Sequence, residues 1–231
     1  MNDIPMRHED KYLLTRMQSA ILCENARSLM RCDEHTGEDG RYRISSLYFD
    51  DPSDSCYIDS ENGNDPREKY RIRMYNGDTS FIRLEKKVKI RGMTGKISAP
   101  VSLEECRAIM HGSYPDVLAG AEGIKKDLVL QMQLKGMRPV AVISYDRIPY
   151  TYPPCEVRFT IDTDLSYESD PDAFTDGSGR GLIPVGCDGM NIMELKWNGF
   201  LPGHIRDILR IDTLRRERFS KYHTCRSIMM G

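Results

Sequence analysis

Residues Tyr70–Lys96, YRIRMYNGDTSFIRLEKKVKIRGMTGK, read as two β-strands joined by a turn. Side chains alternate along a strand, so Arg71 and Arg73 face one way while Tyr70, Ile72 and Met74 face the other. Asn76-Gly77 is a strong hairpin signal, and it opens a slightly longer loop from which the chain returns at Phe81. In the second strand Arg83, Glu85, Lys87 and Lys89 share one face. Ile82, Leu84, Val88 and Ile90 share the other, interrupted by Lys86. The inward choice between Lys86 and Lys87 rests on parity alone, and a bulge would exchange them. Five basic groups and one carboxylate thus gather on one face, which repels itself unless a polyanion lies against it.

Charge counts sharpen the point. From Arg67 to Lys96 there are ten Lys/Arg and three Asp/Glu, a surplus of seven, against 33 and 35 in all 231 residues. A near-neutral total therefore hides a strong local asymmetry, which speaks to partners rather than to fold. The length allows a sizeable core, and 39% hydrophobic with 29% charged residues is ordinary for a soluble protein. No apolar run approaches the ~20 residues needed to span a bilayer. The start, MNDIPMRHEDKYLL, lacks a secretory pattern, so a cytoplasmic location is expected. Seven scattered cysteines, Cys187 among them, have no CxxC spacing and read as reduced, mostly buried thiols. The five histidines form no HxH or HExxH pair, which argues against a zinc site.

Along the chain, Arg7, Glu9 and Lys11 alternate in a segment of strand length. Thr15–Gln18 and Ser102–Glu105 have the capping-box form, each opening a helix; in the first, Met17, Ile21, Leu22, Leu29 and Met30 recur at near-helical spacing. Residues 33–40, 59–67, 113–123 and 166–190 read as loops, and Pro100 is expected to end a strand. Ile124–Leu134 reads as a helix that buries Leu128 and Met132, with Gly136 closing it. Strands are predicted at Tyr42–Asp50, Val140–Ile148, Glu156–Asp162 and Met193–Trp197, followed by a helix with Ile205, Ile208 and Leu209 and a basic tail that contains Lys221. No repeat or clean linker divides the chain, so one domain over residues 1–231 is expected.

Strand after strand pairs an apolar face with one carrying Arg, Lys and sparse Glu. Any one such face is explained by water; surface strands, however, usually mix Thr, Ser, Gln and both charge signs. An α+β fold accounts for all of them together: a closed antiparallel β-barrel with a charged lumen, its apolar outside covered by helices. Such a lumen would bind a linear polyanion along its length, with carboxylates holding a divalent cation.

The ExK at Glu9-Asp10-Lys11, SLYFD at Ser46–Asp50, the paired arginines of YRIRMYN, LEKKVKIRG, the MELKW strand and FSKY at Phe219–Tyr222 resemble, in that order, the VTC-type polyphosphate polymerase domain of the CYTH-like triphosphate tunnel metalloenzymes. The resemblance runs from about Arg7 to Tyr222. It implies a polyphosphate polymerase that moves the γ-phosphoryl group of ATP onto a growing polyphosphate chain with Mn2+ or Mg2+. By position it implies a phosphate-binding set of Lys11, Arg71, Arg73, Lys87, Arg147, Arg158 and Lys221, with Lys96, Tyr145 and Lys196 beside them. Glu194 is implied as metal ligand, and Glu9 and Glu85 as carboxylates that coordinate the ion through water or orient the lysines. The family carries further basic residues near Lys96, so that assignment floats by a residue or two. Any membrane role would fall to a separate partner.

The residue types suit that chemistry. Phosphoryl transfer asks mainly for in-line positioning and neutralised oxygens, which arginine forks, lysine point charges and an oxygen-coordinated Mg2+ or Mn2+ supply. Two other function classes stay open. One is a tunnel hydrolase of triphosphate or a nucleoside triphosphate; such relatives open with ExExK, where this chain has Arg7 at the first position. The other is a non-catalytic module that binds polyphosphate or inositol phosphate. Nucleic acid is not expected, since the basic faces offer few aromatics beyond Tyr75, Phe81 and Tyr145. The fragment at Gly92–Lys96 is too short for a Walker loop.

Overall fold

A computed structural model describes residues 4–33, 35–113, 120–176, 181–186 and 189–231. Among these, ten strands occur: β1 (Met6–Leu14), β2 (Arg31–Cys32), β3 (Tyr42–Asp50), β4 (Arg67–Tyr75), β5 (Ile82–Ile90), β6 (Met93–Val101), β7 (Arg138–Tyr152), β8 (Val157–Glu168), β9 (Ile183–Pro184) and β10 (Asn191–Trp197). The antiparallel order β7-β3-β4-β5-β6-β1-β10-β8 returns from β8 to β7, so eight strands close a barrel, with β2 and β9 attached at its margins. Closure removes the open edges of a sheet and gives every strand an inner and an outer face.

Seven α-helices of the described residues lie outside this barrel: α1 (Arg16–Arg27), α2 (Ser55–Glu61), α3 (Leu103–His111), α4 (Gly123–Lys135), α5 (Ala173–Asp176), α6 (Gly203–Ile208) and α7 (Lys221–Met230). One outer core joins α1 and α6 to Leu14, Phe159, Met193 and Leu195, all without exposure. Full burial of each such side chain is worth about 1.5–3 kcal/mol. A larger core packs Leu128 of α4 and Cys106 and Ile109 of α3 near Ile72, Leu84 and Leu47. Both capping boxes form as expected, and Gly136 ends α4 in the left-handed region.

Four expectations need correction. The basic stretch is three strands, not two: β5 turns at Arg91-Gly92, both at positive φ, straight into β6. An Arg-Gly pair is a weak hairpin signal by itself; here the Asp65 carboxylate accepts hydrogen bonds from the Arg91 and Gly92 amides and holds the turn. Pro100 does not break the strand, because beyond Gly95 the far side of β6 has no described partner on β1 and needs no amide there. In α1 the buried face is Ser19, Leu22, Cys23 and Ala26, while Met17 and Ile21 are exposed. The segment 166–190 also carries the end of β8, α5 and β9. Residues 34, 114–119, 177–180 and 187–188 of the predicted loops, Cys187 included, lie outside the described residues.

The C-terminal helix is tied to the barrel by a buried carboxylate. Asp50, at the end of β3, accepts hydrogen bonds from the Cys56 and Tyr57 amides at the start of α2 and from the Tyr222 hydroxyl of α7. Tyr48 stacks on Tyr222 with ring centroids 5.2 Å apart. We expect Tyr222→Phe to lower stability by about 1–3 kcal/mol, read from the urea midpoint; an unmoved midpoint would show that the hydroxyl is dispensable. No helix among the described residues is long and apolar enough to cross a membrane.

Candidate active site

Strand register decides which side chains meet inside. Glu9 lies opposite Lys196 and Lys11 opposite Glu194 across β1 and β10. Across β4 and β5 the inward pairs are Arg67–Lys89, Lys69–Lys87, Arg71–Glu85 and Arg73–Arg83. The fork of Arg147 on β7 reaches Asp162 on β8, while Lys221 enters from the first turn of α7. A cavity of about 670 Å3 is lined by Glu9, Lys11, Lys69, Arg71, Arg73, Lys87, Tyr145, Arg147, Glu194, Lys196 and Lys221, among others. Parity thus settles the lysine choice. Lys87 faces the bore, and Lys86 reaches outward to Glu68 at 2.9 Å and to Asp127 of α4 at 3.5 Å.

Two carboxylate hubs organise these cations. Glu194 receives Lys196 at 2.6 Å, Lys221 at 3.0 Å, Arg147 at 3.4 Å and Lys11 at 3.6 Å. Asp162 stands beside it and takes the Arg147 fork at 2.6 and 2.7 Å and Lys221 at 2.6 Å. Glu9 extends this hub, accepting from Lys87 at 2.8 Å with Lys11 at 3.4 Å. Glu85 makes the second hub, held by Arg71, by Lys96 and, at 4.0 Å, by Arg73. Phenol oxygens complete the arginine contacts: Arg71 donates to Tyr48 at 3.0 Å and Arg73 to Tyr145 at 2.9 Å.

The electrostatics follow from this geometry. Burial opposes ionisation of Glu9 and Glu194, but their lysine and arginine neighbours outweigh it and hold both carboxyls well below the usual range. Asp162 is lowered in the same way, chiefly by Arg147 once burial is overcome. Burial pushes Lys196 down to about 7, with Glu194 and Glu9 resisting. Lys221 is raised, since Asp162 and Glu194 more than offset its burial.

A divalent ion fits part of this donor set. Mg2+ and Mn2+ prefer hard oxygens, and Mg2+ is commonly held by one or two carboxylates with substrate phosphate and water completing the shell. Glu194, with Glu9 joined to it through Lys11, could hold such an ion. Among the described residues no cluster of three metal-ligating side chains occurs, so substrate oxygens would have to supply the rest. Glu85 stands apart from that pair: it is held by Arg71, Arg73 and Lys96 and shares none of its ion-pair partners with Glu194 or Glu9.

Most of the predicted residues converge, and Arg158 stands apart. Its strand position is inward, opposite Lys196, yet its guanidinium donates to Asp33 and to Tyr42, both at 3.0 Å, and does not line the cavity. Lys96 also lies off the cavity lining, acting through Glu85. Nor is the bore charged throughout, for the inward positions Ile44 and Ile143 are buried and apolar. Sequence reasoning missed Lys69, Tyr48 and Asp162. Strand parity could have found two of them: Lys69 is one period before Arg71, and Asp162 two periods after Arg158.

A closed barrel with a cation-lined bore and a helical jacket defines the tunnel class of phosphate-handling proteins. The VTC domain family matches residues 6–230, and the chain belongs to that family. No curated protein sequence matches it. Solved structures share the fold at low identity. One, from Bacillus halodurans and described as a candidate adenylate cyclase, is 13% identical with a TM-score of 0.55, covering 93% of this chain and 94% of its own. Another is HpAC1 of Hippeastrum, a candidate adenylyl cyclase with a dominant triphosphatase activity. It is 14% identical with a TM-score of 0.56, covering 96% of each chain.

Proposed function

We propose that this protein is a polyphosphate polymerase that transfers the γ-phosphoryl group of ATP to the terminal oxygen of pyrophosphate or polyphosphate. The observation that carries this reading is the first hub: Lys11, Arg147, Lys196 and Lys221 surround one metal-competent carboxylate, Glu194, inside a closed bore. The bond from the γ-phosphorus to the β–γ bridging oxygen breaks, a bond from the terminal polyphosphate oxygen forms, and ADP leaves. Arg71, Arg73, Lys87 and Arg147 grip the phosphate oxygens and hold donor and acceptor in line; no protein nucleophile takes part. Lys221 and Lys11 neutralise charge on the moving phosphoryl group. A bound Mn2+ or Mg2+ would add Lewis-acid charge neutralisation on the phosphate oxygens.

The second reading is a triphosphatase, in which water replaces the polymer as acceptor. The likeness to HpAC1 favours it. Against it stands Arg7, which occupies the same strand face as Glu9 and Lys11 where a tunnel hydrolase would carry another carboxylate. One assay separates the two. The protein is incubated with ATP and Mn2+, and products are run on a gel stained for polyphosphate. Long polymer is expected; release of free phosphate alone would replace this reading with the hydrolase.

A further inference from the structure

Within the bore, most cations have a carboxylate. At the mouth they do not. Arg67 lies opposite Lys89 and Lys69 opposite Lys87, two successive like-charge pairs facing the cavity, an arrangement that destabilises a sheet left to itself. Lys87 has Glu9, but among the described residues none of Arg67, Lys69, Lys89 and Arg218 stands in an ion pair, although all line the cavity. Of the carboxylates on this part of the lining, Asp65 spends both oxygens on the Arg91 and Gly92 amides, Glu68 pairs with Lys86, and Glu217 pairs with Arg215. Lys69 donates to the Ser220 hydroxyl at 3.2 Å and sits 5.1 Å from the Tyr222 ring centroid, contacts that leave its charge uncompensated.

We propose that this mouth is a second anion site, which takes the part of a linear polyphosphate projecting beyond the inner cradle and so lets the protein tell a polymer from a triphosphate by length. The inference rests on the reading of the bore as a polyphosphate site. From Arg71 to Arg67 is four residues of strand, roughly 13 Å at the usual rise. A triphosphate gripped at Arg71 and Arg73 does not reach that far, whereas a longer chain does. The facing groups agree with a site built for an anion. Burial drives the Lys69 amine down to about 7, helped by Arg67, Lys11 and Lys87 and opposed by Cys56. Lys89 is lowered by burial and by Arg67, Arg218 and Arg216, with Asp65 opposing. A bound polyanion restores the Lys69 charge, so binding above pH 7 takes up a proton and affinity falls as pH rises.

The test is equilibrium binding of the full chain to tripolyphosphate and to medium-length polyphosphate at two salt concentrations. Arg67→Ser combined with Lys89→Ser should weaken polymer binding by about tenfold or more and shallow its salt dependence, while tripolyphosphate affinity moves by less than about twofold. Arg71→Ala, deeper in the bore, should weaken both ligands. Equal losses for both ligands in the mouth variant, or none for either, would overturn the proposal. So would an oligothymidylate of matched length that binds as tightly as polyphosphate. Turnover is read separately: a length-dependent loss in a protein that makes no polymer from ATP removes the polymerase reading and leaves the mouth site standing.

Discussion

Glu194→Gln is expected to stop turnover and, without ligand, to lower the thermal midpoint of the same variant. The sequence alone leads one to expect lost turnover with little loss of folding; the contacts of Glu194 argue for a stability cost as well. Glu194 is the shared counter-charge of Lys11, Arg147, Lys196 and Lys221, and removing it leaves four cations crowded around a neutral amide. Breaking a buried ion pair by deleting one partner costs about 3–5 kcal/mol, which for a domain of this size lowers the midpoint by roughly 10 °C. Turnover should fall by at least about a hundredfold, as charge stabilisation and the metal anchor go together. Tripolyphosphate should restore much of the lost midpoint, because its oxygens supply the missing negative charge. An unmoved midpoint together with a rate within a few-fold of the parent would remove Glu194 from both roles.

The two hubs together predict the pH response. Glu9, Glu194, Asp162 and Glu85 all ionise more readily in the folded chain than in the unfolded one. Below the ordinary carboxylate range the unfolded chain therefore binds protons that the folded chain does not. The stability these groups contribute is complete above that range and is lost as pH falls through their lowered values.

Arg147 supplies the second large effect. Its planar fork meets Asp162 with two short hydrogen bonds while one arm also approaches Glu194, and all three side chains are buried. Arg147→Leu strips both carboxylates of a partner and should cost about 3–5 kcal/mol, seen as an early urea midpoint. Arg147→Lys keeps the charge but not the fork, and is expected to recover part of the stability and little of the tripolyphosphate affinity. Full rescue by lysine would show that only charge matters at this position.

Much of this arrangement was legible from parity. Arg71, Arg73, Glu85 and Lys87 were placed correctly because a strand has a period of two and each apolar neighbour confirmed the phase. Glu194 and Lys196 followed from the same logic in MELKW. Parity gives a face and not a depth or a partner, which is why Arg158 is expected beside the other cations although Asp33 and Tyr42 hold its guanidinium off the cavity lining. It was also silent on Arg91-Gly92, whose turn depends on the carboxylate of Asp65, 26 residues back. Parity places Asp162 on the inward face two periods after Arg158, but its partners Arg147 and Lys221 come together only once β7, β8 and α7 meet.

The seam between β1 and β10 joins the first strand to the last, and beside it the Lys11 amine donates to the Phe219 carbonyl across 208 residues of chain. Contacts of such separation form slowly, since loop entropy is lost before they repay it. Glu9, Lys11, Glu194 and Lys196 all lie on that seam. The step that completes folding is therefore also the step that creates the chemistry, and a chain caught short of it shows two unpaired strand edges studded with charge.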